Sequence, residues 1–336
     1  MRSGLFSVRR LSGKFWLVLV LTCGFAGTGY AADQAVLDVL MRMQTATQQL
    51  NYHGTLVYLQ DGQVQSMRVV HRVDQRGEFE RLINLNGVAR EVVRKNDVVT
   101  SYMPNSKVVM VCKQQFKGNL LAQMAENDFS QLQDYYSFSF EAMDRVAGQS
   151  VQAILIEPKD TSRYGYRLWI DEVNAILLKS DLINGQGEVL EQTMFANITI
   201  GGDIPDVMLE AETRSDDFTW TMHDDNPTAE SLVDSRWDIV NLPQGFSIIT
   251  RFHHQMPNSP GLVEHWVISD GLASISVYME KISDAHTIFE GASLMGATNA
   301  FGVLRQGYQI TVIGEVPAHT VESVAHAVMY DPEENE

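Results

Sequence analysis

Hydrophobic positions along the chain fall first into a helical pattern and then, for most of its length, into alternation. Between Gln34 and Leu50, the residues Val36, Leu37, Leu40, Met41 and Met43 recur at helical spacing and predict one amphipathic helix. From Tyr52 the period changes to two. Strands are expected at Thr55–Leu59, Val64–Val73, Phe79–Leu85, Val88–Arg94, Val98–Met103 and Lys107–Cys112. Asp61-Gly62, Arg76-Gly77, Asn86-Gly87, Asn96-Asp97 and Pro104-Asn105 supply the turns of an antiparallel meander.

A helical break follows at 118–127, with Leu120, Leu121 and Met124 on one stripe. Alternation then resumes at Tyr135–Glu141, Val151–Glu157, Tyr164–Ile170, Ala175–Leu182 and Glu188–Ile198. A polar stretch, 210–235, breaks the pattern with Asp216-Asp217 and Asp224-Asp225-Asn226-Pro227, and reads as a linker with some order around Phe218 and Trp220. The remaining hundred residues form a second unit. Its strands are expected at Trp237–Asn241, Ser247–His254, Leu262–Ser269, Ala273–Lys281, Phe301–Arg305 and Tyr308–Val316. Pro317 then opens a terminal helix that carries Val321, Val324, Ala325 and Val328 on one face.

The fold class expected is mainly β (α+β). One long helix and a short one leave part of a large antiparallel sheet uncovered, and such a sheet curls around its own apolar face. The expected first domain is an open half-barrel whose hollow suits acyl chains or an amphipathic peptide.

Charge adds a second layer. The chain carries a formal net charge of −17, which argues against nucleic acid as a partner. Residues 51–118 nevertheless hold ten basic and six acidic side chains. This basic island in an acidic protein could meet anionic groups. Arg68, Arg72, Arg90 and Arg94 are its candidate ligands for an anionic lipid, with Lys95, Lys107 and Lys113 nearby.

The first fourteen residues contain Arg2, Arg9, Arg10 and Lys14 and no acid. An apolar run from Phe15 to Ala26 and small residues around Gly29 and Ala31 complete a secretory leader, residues 1–31, cut after Ala31. The run is too short to span a bilayer, and Thr22 before Cys23 is a poor lipidation signal. The mature chain, at −21, then keeps Cys112 as its one cysteine and has no internal disulfide. The expected divisions are 32–209, a linker at 210–235, and 236–330.

Catalytic motifs are absent. The chain has no nucleophile elbow, no H-E-x-x-H, no P-loop and no dinucleotide fingerprint. His253, His254 and His265 come closest to a metal set. Neighbours on a strand face opposite ways, so no more than one of the first two could join His265, too few ligands for zinc. No enzyme activity, cofactor or metal is expected.

Several segments carry a resemblance. Asn51-Tyr52-His53-Gly54-Thr55-Leu56-Val57-Tyr58 opens the first sheet and Tyr102-Met103-Pro104-Asn105 lies within it. Tyr164-Gly165-Tyr166-Arg167-Leu168-Trp169-Ile170-Asp171 precedes a hairpin. Leu242-Pro243-Gln244-Gly245-Phe246 and Gly296-Ala297-Thr298-Asn299-Ala300-Phe301 lie in the second unit. In order and spacing they resemble the RseB/MucB family of periplasmic regulators of an extracytoplasmic-function sigma factor. The resemblance implies a LolA-like N-terminal half-barrel with a smaller α+β C-terminal regulatory domain, located in the periplasm. It implies binding to the periplasmic domain of an RseA/MucA-like anti-sigma factor. It further implies that this binding shields the anti-sigma factor from site-1 proteolysis, and that lipopolysaccharide or another lipid releases the regulator during envelope stress. A periplasmic lipid or lipoprotein carrier is the alternative on the same architecture. The oligomeric state stays open, a homo-oligomer included.

Overall fold

Two sheets, each with its own apolar core, carry the fold. The computed structural model describes residues 28–113, 129–223, 235–255, 261–282 and 288–330. The expected leader lies outside these residues except for its last four positions, which open the first helix, and the short helix expected at 118–127 also lies outside them.

The first unit begins with α1 (Thr28–Gln49) and continues through β1 (Tyr52–Gln60), β2 (Gln63–Asp74), β3 (Gly77–Asn84), β4 (Glu91–Lys95), β5 (Val98–Met103) and β6 (Val108–Lys113). After a 3-10 turn at Gln131–Asp134 come β7 (Tyr136–Val146), β8 (Gln149–Pro158), β9 (Gly165–Asp171), β10 (Leu177–Ile183), β11 (Val189–Ile200) and β12 (Thr219–His223). They make one twelve-stranded sheet in the order β12-β6-β5-β4-β3-β2-β1-β11-β10-β9-β8-β7. The central pair, β1 and β11, joins two meanders. The neighbours are antiparallel except β12, which returns from the acidic stretch and pairs parallel to β6.

Alternation decides which residues meet. Tyr52, Leu56 and Val69 turn to one face, where α1 lays down Val36, Leu37, Leu40 and Met43. Each such side chain contributes roughly 1.5–3 kcal/mol on burial. Met41, expected on this stripe, is 49% exposed. It sits about 100° around the helix from Leu40, on the flank of the packed face. Gly54 is required by close approach, because a Cβ there would lie 2.2 Å from the Asn197 carbonyl oxygen.

The second unit contains β13 (Trp237–Ile239), β14 (Ser247–Gln255), β15 (Leu262–Ser269), β16 (Ser274–Lys281), β17 (Gly291–Met295), β18 (Thr298–Arg305), β19 (Tyr308–Gly314), α2 (Ala318–Ala327) and β20 (Val328–Tyr330). Six strands form a sheet in the order β14-β15-β16-β19-β18-β17, and β13 pairs with β20 as a separate ribbon. Val321, Val324 and Ala325 of α2 pack on a core that includes Trp266, Ile275, Val277 and Val312. The terminal helix stops at Ala327, earlier than expected, because Val328–Tyr330 is taken up by pairing with β13. Among the described residues no helix is long and apolar enough to cross a membrane.

Candidate functional site

The four candidate arginines do not share one surface. Arg68 and Arg72 flank Val70 on β2, and all three turn away from α1. Along that outer face runs the segment after β11. Its Ile204 and Leu209 form a small separate core with Val70. Its acids sit on the basic strands. Arg72, 6% exposed, donates from Nη1 to the Ile204 carbonyl and to Asp206 Oδ1, both at 2.7 Å. Arg76 reaches the same Asp206 oxygen at 3.0 Å. Hydrogen bonds from Arg76 and Arg72 hold the Asp206 carboxyl down at about 2.

The next contact repeats the arrangement. Buried Arg81 donates from Nε to Glu91 at 2.6 Å and reaches Glu212 at 2.9 Å. Glu91 also accepts the backbone N–H groups of Glu212 and Thr213, at 2.9 and 2.8 Å. Half-exposed Arg68 lies 3.7 Å from Glu212, and Lys107 pairs with Asp217. The stretch expected as a linker from 210, with some order around Phe218 and Trp220, is strapped to the first sheet at 212–223 by ion pairs and by β12.

Arg94 faces the other way, toward the α1 side, between Glu78 and Glu80. His71 belongs to this cluster: its Nδ1 lies 2.9 Å from the Leu50 carbonyl oxygen and its Nε2 3.1 Å from Glu78. Hydrogen bonds from His71 and Arg94 hold the Glu78 carboxyl at about 2 despite partial burial, whereas burial pushes Glu80 up. Arg90 is exposed in the turn before β4. Of the four, Arg68 and Arg90 offer charge to solvent, while Arg72 and Arg94 are buried and paired within the chain. Composition grouped them; strand parity and the distant acids Asp206 and Glu78 separate them.

A second constellation joins the two units. Arg163, just before β9, donates from Nη1 to Asp270 Oδ2 at 2.5 Å, and Tyr136 donates its hydroxyl to the same oxygen at 2.8 Å. The other Asp270 oxygen accepts the Leu272 and Ala273 N–H groups at 2.8 and 2.7 Å. The Arg163 guanidinium also binds Asp160 and the Gln244 carbonyl, and lies 4.8 Å from the Phe246 ring centre. Thr320 of α2 donates to the Ser162 carbonyl at 3.0 Å, and Asn299 to the Tyr164 hydroxyl at 3.2 Å.

The tip of the β17–β18 hairpin enters the first unit. Ala297 is buried with the first core, and its N–H points to Glu191 at 3.3 Å. Gly296 has φ +62°, and a Cβ there would meet the Gln60 amide. The cleft along this seam measures about 620 Å³ and is lined by Glu157, Arg163, Asn184, Leu294, Asn299 and His319, among others. A more open hollow of about 600 Å³ lies on α1 at Met41, Arg42, Thr45 and Val173. Both mix polar and apolar groups. Sequence reading missed the seam because its partners are more than 100 residues apart.

The histidines do not converge. His253 pairs in register with Glu264, at 3.7 Å, while His265 stacks against Tyr278 with ring centres 4.1 Å apart. Among the described residues no group of three or more His, Cys, Asp or Glu side chains is placed to hold a metal.

Comparison with known proteins now gives this architecture a context. The model of the MucB/RseB N-terminal domain matches residues 35–213, and that of the MucB/RseB C-terminal domain matches 231–329. The sigma factor AlgU regulatory protein MucB of Pseudomonas aeruginosa is 30% identical over 311 residues, covering 89% of this chain and 91% of that protein. The sigma-E factor regulatory protein RseB of Escherichia coli (strain K12) is 25% identical, covering 94% of this chain and 98% of that protein. The solved Pseudomonas aeruginosa MucA/MucB complex contains a chain that superposes with a TM-score of 0.70 at 28% identity, covering 88% of this chain and 99% of that one. A crystal structure of MucB in complex with MucA(peri) gives 0.68 at the same identity and coverage. Both relatives are sigma-factor regulatory proteins. With matches running through both sheets and the strap between them, this chain belongs to the MucB/RseB family.

Proposed function

We propose that this protein is a periplasmic negative regulator. It binds the periplasmic region of a MucA/RseA-like anti-sigma factor and shields it from site-1 proteolysis, so that the sigma factor stays sequestered. The observation that carries this reading is full-length similarity to MucB, a protein solved in complex with MucA(peri). The seam adds support. A partner bound across both units would depend on how they are docked, and that docking rests on a few named contacts.

Release is assigned to an anionic lipid such as lipopolysaccharide. Exposed Arg68 and Arg90 are its first contacts, and the buried, paired Arg72 and Arg94 hold the strands beneath. In this reading residues 1–31 are the export leader, 32–209 the lipid-responsive unit, 210–235 the connection and 236–330 the regulatory unit. Co-purification of the mature chain with the anti-sigma periplasmic segment tests it. A stable complex that protects the segment from proteolysis is the expected result, and no complex at micromolar concentrations would overturn it.

A further inference from the structure

The strap at 210–223 rests on the first sheet mainly through charge. Apolar anchoring ends at Leu209, which packs with Ile204 and Val70. Beyond it, Glu212 meets Arg81 at 2.9 Å and Arg68 at 3.7 Å, and Asp217 meets Lys107. The two acids are 59% and 64% exposed, so water and salt screen both contacts. The Lys107 carbonyl also accepts the Thr219 N–H at 2.8 Å, which starts β12. That strand has five residues, runs parallel to β6 and lies at the edge of the sheet. Its large side chains add little burial: Trp220 is 54% exposed and Met222 82%. Few buried contacts and an exposed ladder mark a segment that opens locally, ahead of the fold.

Opening would change the charge of the face beneath. With the strap closed, Arg68, Arg81 and Lys107 stand against Glu91, Glu212 and Asp217, and the charges cancel. Glu212 and Asp217 leave with the strap, so the three cations would then face Glu91 alone. Arg81 would keep Glu91 on Nε at 2.6 Å and the Met208 carbonyl on Nη1, while Nη2, which now meets Glu212, turns free. Between Arg68 and Arg81, Glu212 occupies the place that an external anion would take. While the strap is shut, its acids also repel such an anion.

We propose that residues 210–223 are a displaceable strap over a phosphate-binding face, opened when a bilayer surface rich in anionic phosphate headgroups takes Arg68, Arg81 and Lys107 from Glu212 and Asp217. The inference rests on the reading of an anionic lipid as the release signal and supplies the part that moves. Guanidinium groups pair with phosphate oxygens in the fork geometry they use for carboxylates. The three cations are spread over β2, β3 and the start of β6, which suits a surface carrying many headgroups better than one small anion. In sequence the strap runs on toward the second unit, so opening lengthens the connection between the units.

The test locks the strap in the full mature chain. Met110 and Thr221 are partners in register on β6 and β12, at the Cα spacing of neighbouring strands that a disulfide accepts. A Met110→Cys/Thr221→Cys variant, with Cys112→Ser so that no third thiol competes, is compared oxidised and reduced. The probe is vesicles of phosphatidylglycerol in phosphatidylcholine at low salt. The reduced form is expected to bind them about tenfold or more tightly than the oxidised form. In wild type the vesicles should speed hydrogen exchange across 213–223 about tenfold or more and leave β1 and β11 unchanged. Without lipid, Glu212→Gln should speed the same exchange about two- to fivefold, the effect of losing one exposed ion pair. Equal binding by the two redox forms overturns the strap and leaves the lipid reading standing. Wild-type exchange that vesicles do not alter overturns it too, whether or not the locked variant folds. Absence of vesicle binding by wild type and by both forms overturns the lipid reading together with the strap, and the anti-sigma complex is measured apart from both. Opening by inorganic phosphate alone, at matched phosphate concentration, would assign the face to a soluble anion and overturn the surface.

Discussion

Arg163 and Asp270 form an ion pair between the two units with both side chains 0% exposed, Nη1 lying 2.5 Å from Oδ2. The carboxylate is fully used: Tyr136 shares one oxygen and two backbone N–H groups take the other. Removing Asp270 leaves Arg163 Nη1 and the Tyr136 hydroxyl buried without their acceptor, although Asp160 and the Gln244 carbonyl still hold the other side of the guanidinium. Asp270→Ala is therefore expected to cost on the order of 3–5 kcal/mol, measured by urea unfolding. A Arg163→Met/Asp270→Leu double variant should recover part of that loss, because no buried charge is left unpaired. A single variant within about 0.5 kcal/mol of wild type, as at ordinary surface sites, would show that the pair does not hold the seam.

The hairpin tip supplies a steric test of the same seam. Gly296 has φ +62°, and an added Cβ would fall 2.0 Å from the Gln60 amide nitrogen. Gln60 is flexible enough to yield, but the backbone conformation is one that residues with a side chain adopt at a cost of order 1 kcal/mol. Gly296→Val adds β-branching to that strain and should lift the tip from the sheet. Increased proteolysis at the seam, with the core of each sheet still protected from hydrogen exchange, is the expected outcome. Unchanged seam protection would mean that the tip is not seated as tightly as its geometry requires.

Much of the sheet was legible because its signals are local. The turn at Asp61-Gly62 has φ +50° and +73°, the paired positive values that a tight hairpin demands and that Asp-Gly supplies. The stripe from Val36 to Met43 recorded the face that α1 buries. Three short strands were not legible. β17 is largely exposed and barely alternates, β20 is the continuation of a helix, and β12 pairs parallel across 112 positions with β6. The candidate site suffered in the same way. Composition can see that residues 51–118 are basic, but not that Asp206 and Glu212 return to neutralise Arg72 and Arg81. Nor can it see that Arg94 lies on the opposite face from Arg72. Parity along the strands was available and would have split the group.

Acid sensitivity follows from the cluster around His71. The Glu78 carboxyl is depressed from 4.5 to about 2 by His71 and Arg94. A carboxyl depressed on folding contributes stability that is complete above its unfolded value and is lost as pH falls through the folded one. The loss should lie between pH 4.5 and about 2. Glu80 runs the other way: burial raises it, so protonation relieves the fold rather than weakening it. Melting curves across this window should show a steep acid limb in wild type. Glu78→Gln should lower stability at neutral pH and flatten that limb, while Glu80→Gln should leave it steep. An equally steep limb in Glu78→Gln would place the acid-labile group elsewhere.

The arginines can be separated by experiment as the structure separates them. Arg68 and Arg90 present their charge to solvent, so reversing both to Glu should leave the fold nearly intact, within about 0.5 kcal/mol per site. It should weaken binding to vesicles carrying phosphate-bearing lipid, and weaken it more at low salt, since the Debye length is about 30 Å at 0.01 M and about 8 Å at 0.15 M. Arg72→Glu and Arg94→Glu should behave differently. Arg72 lies between Asp74 and Asp206, and Arg94 between Glu78 and Glu80. A carboxylate buried at either position would face two others and lose the cation that holds them, so the fold should be clearly destabilised. Binding and melting temperature measured on the same samples decide the matter. Salt-dependent loss confined to Arg68 and Arg90 makes them the lipid contacts. Unchanged lipid binding in a folded Arg68→Glu/Arg90→Glu variant removes the basic strands from the release mechanism and leaves the anti-sigma interaction to be tested on its own.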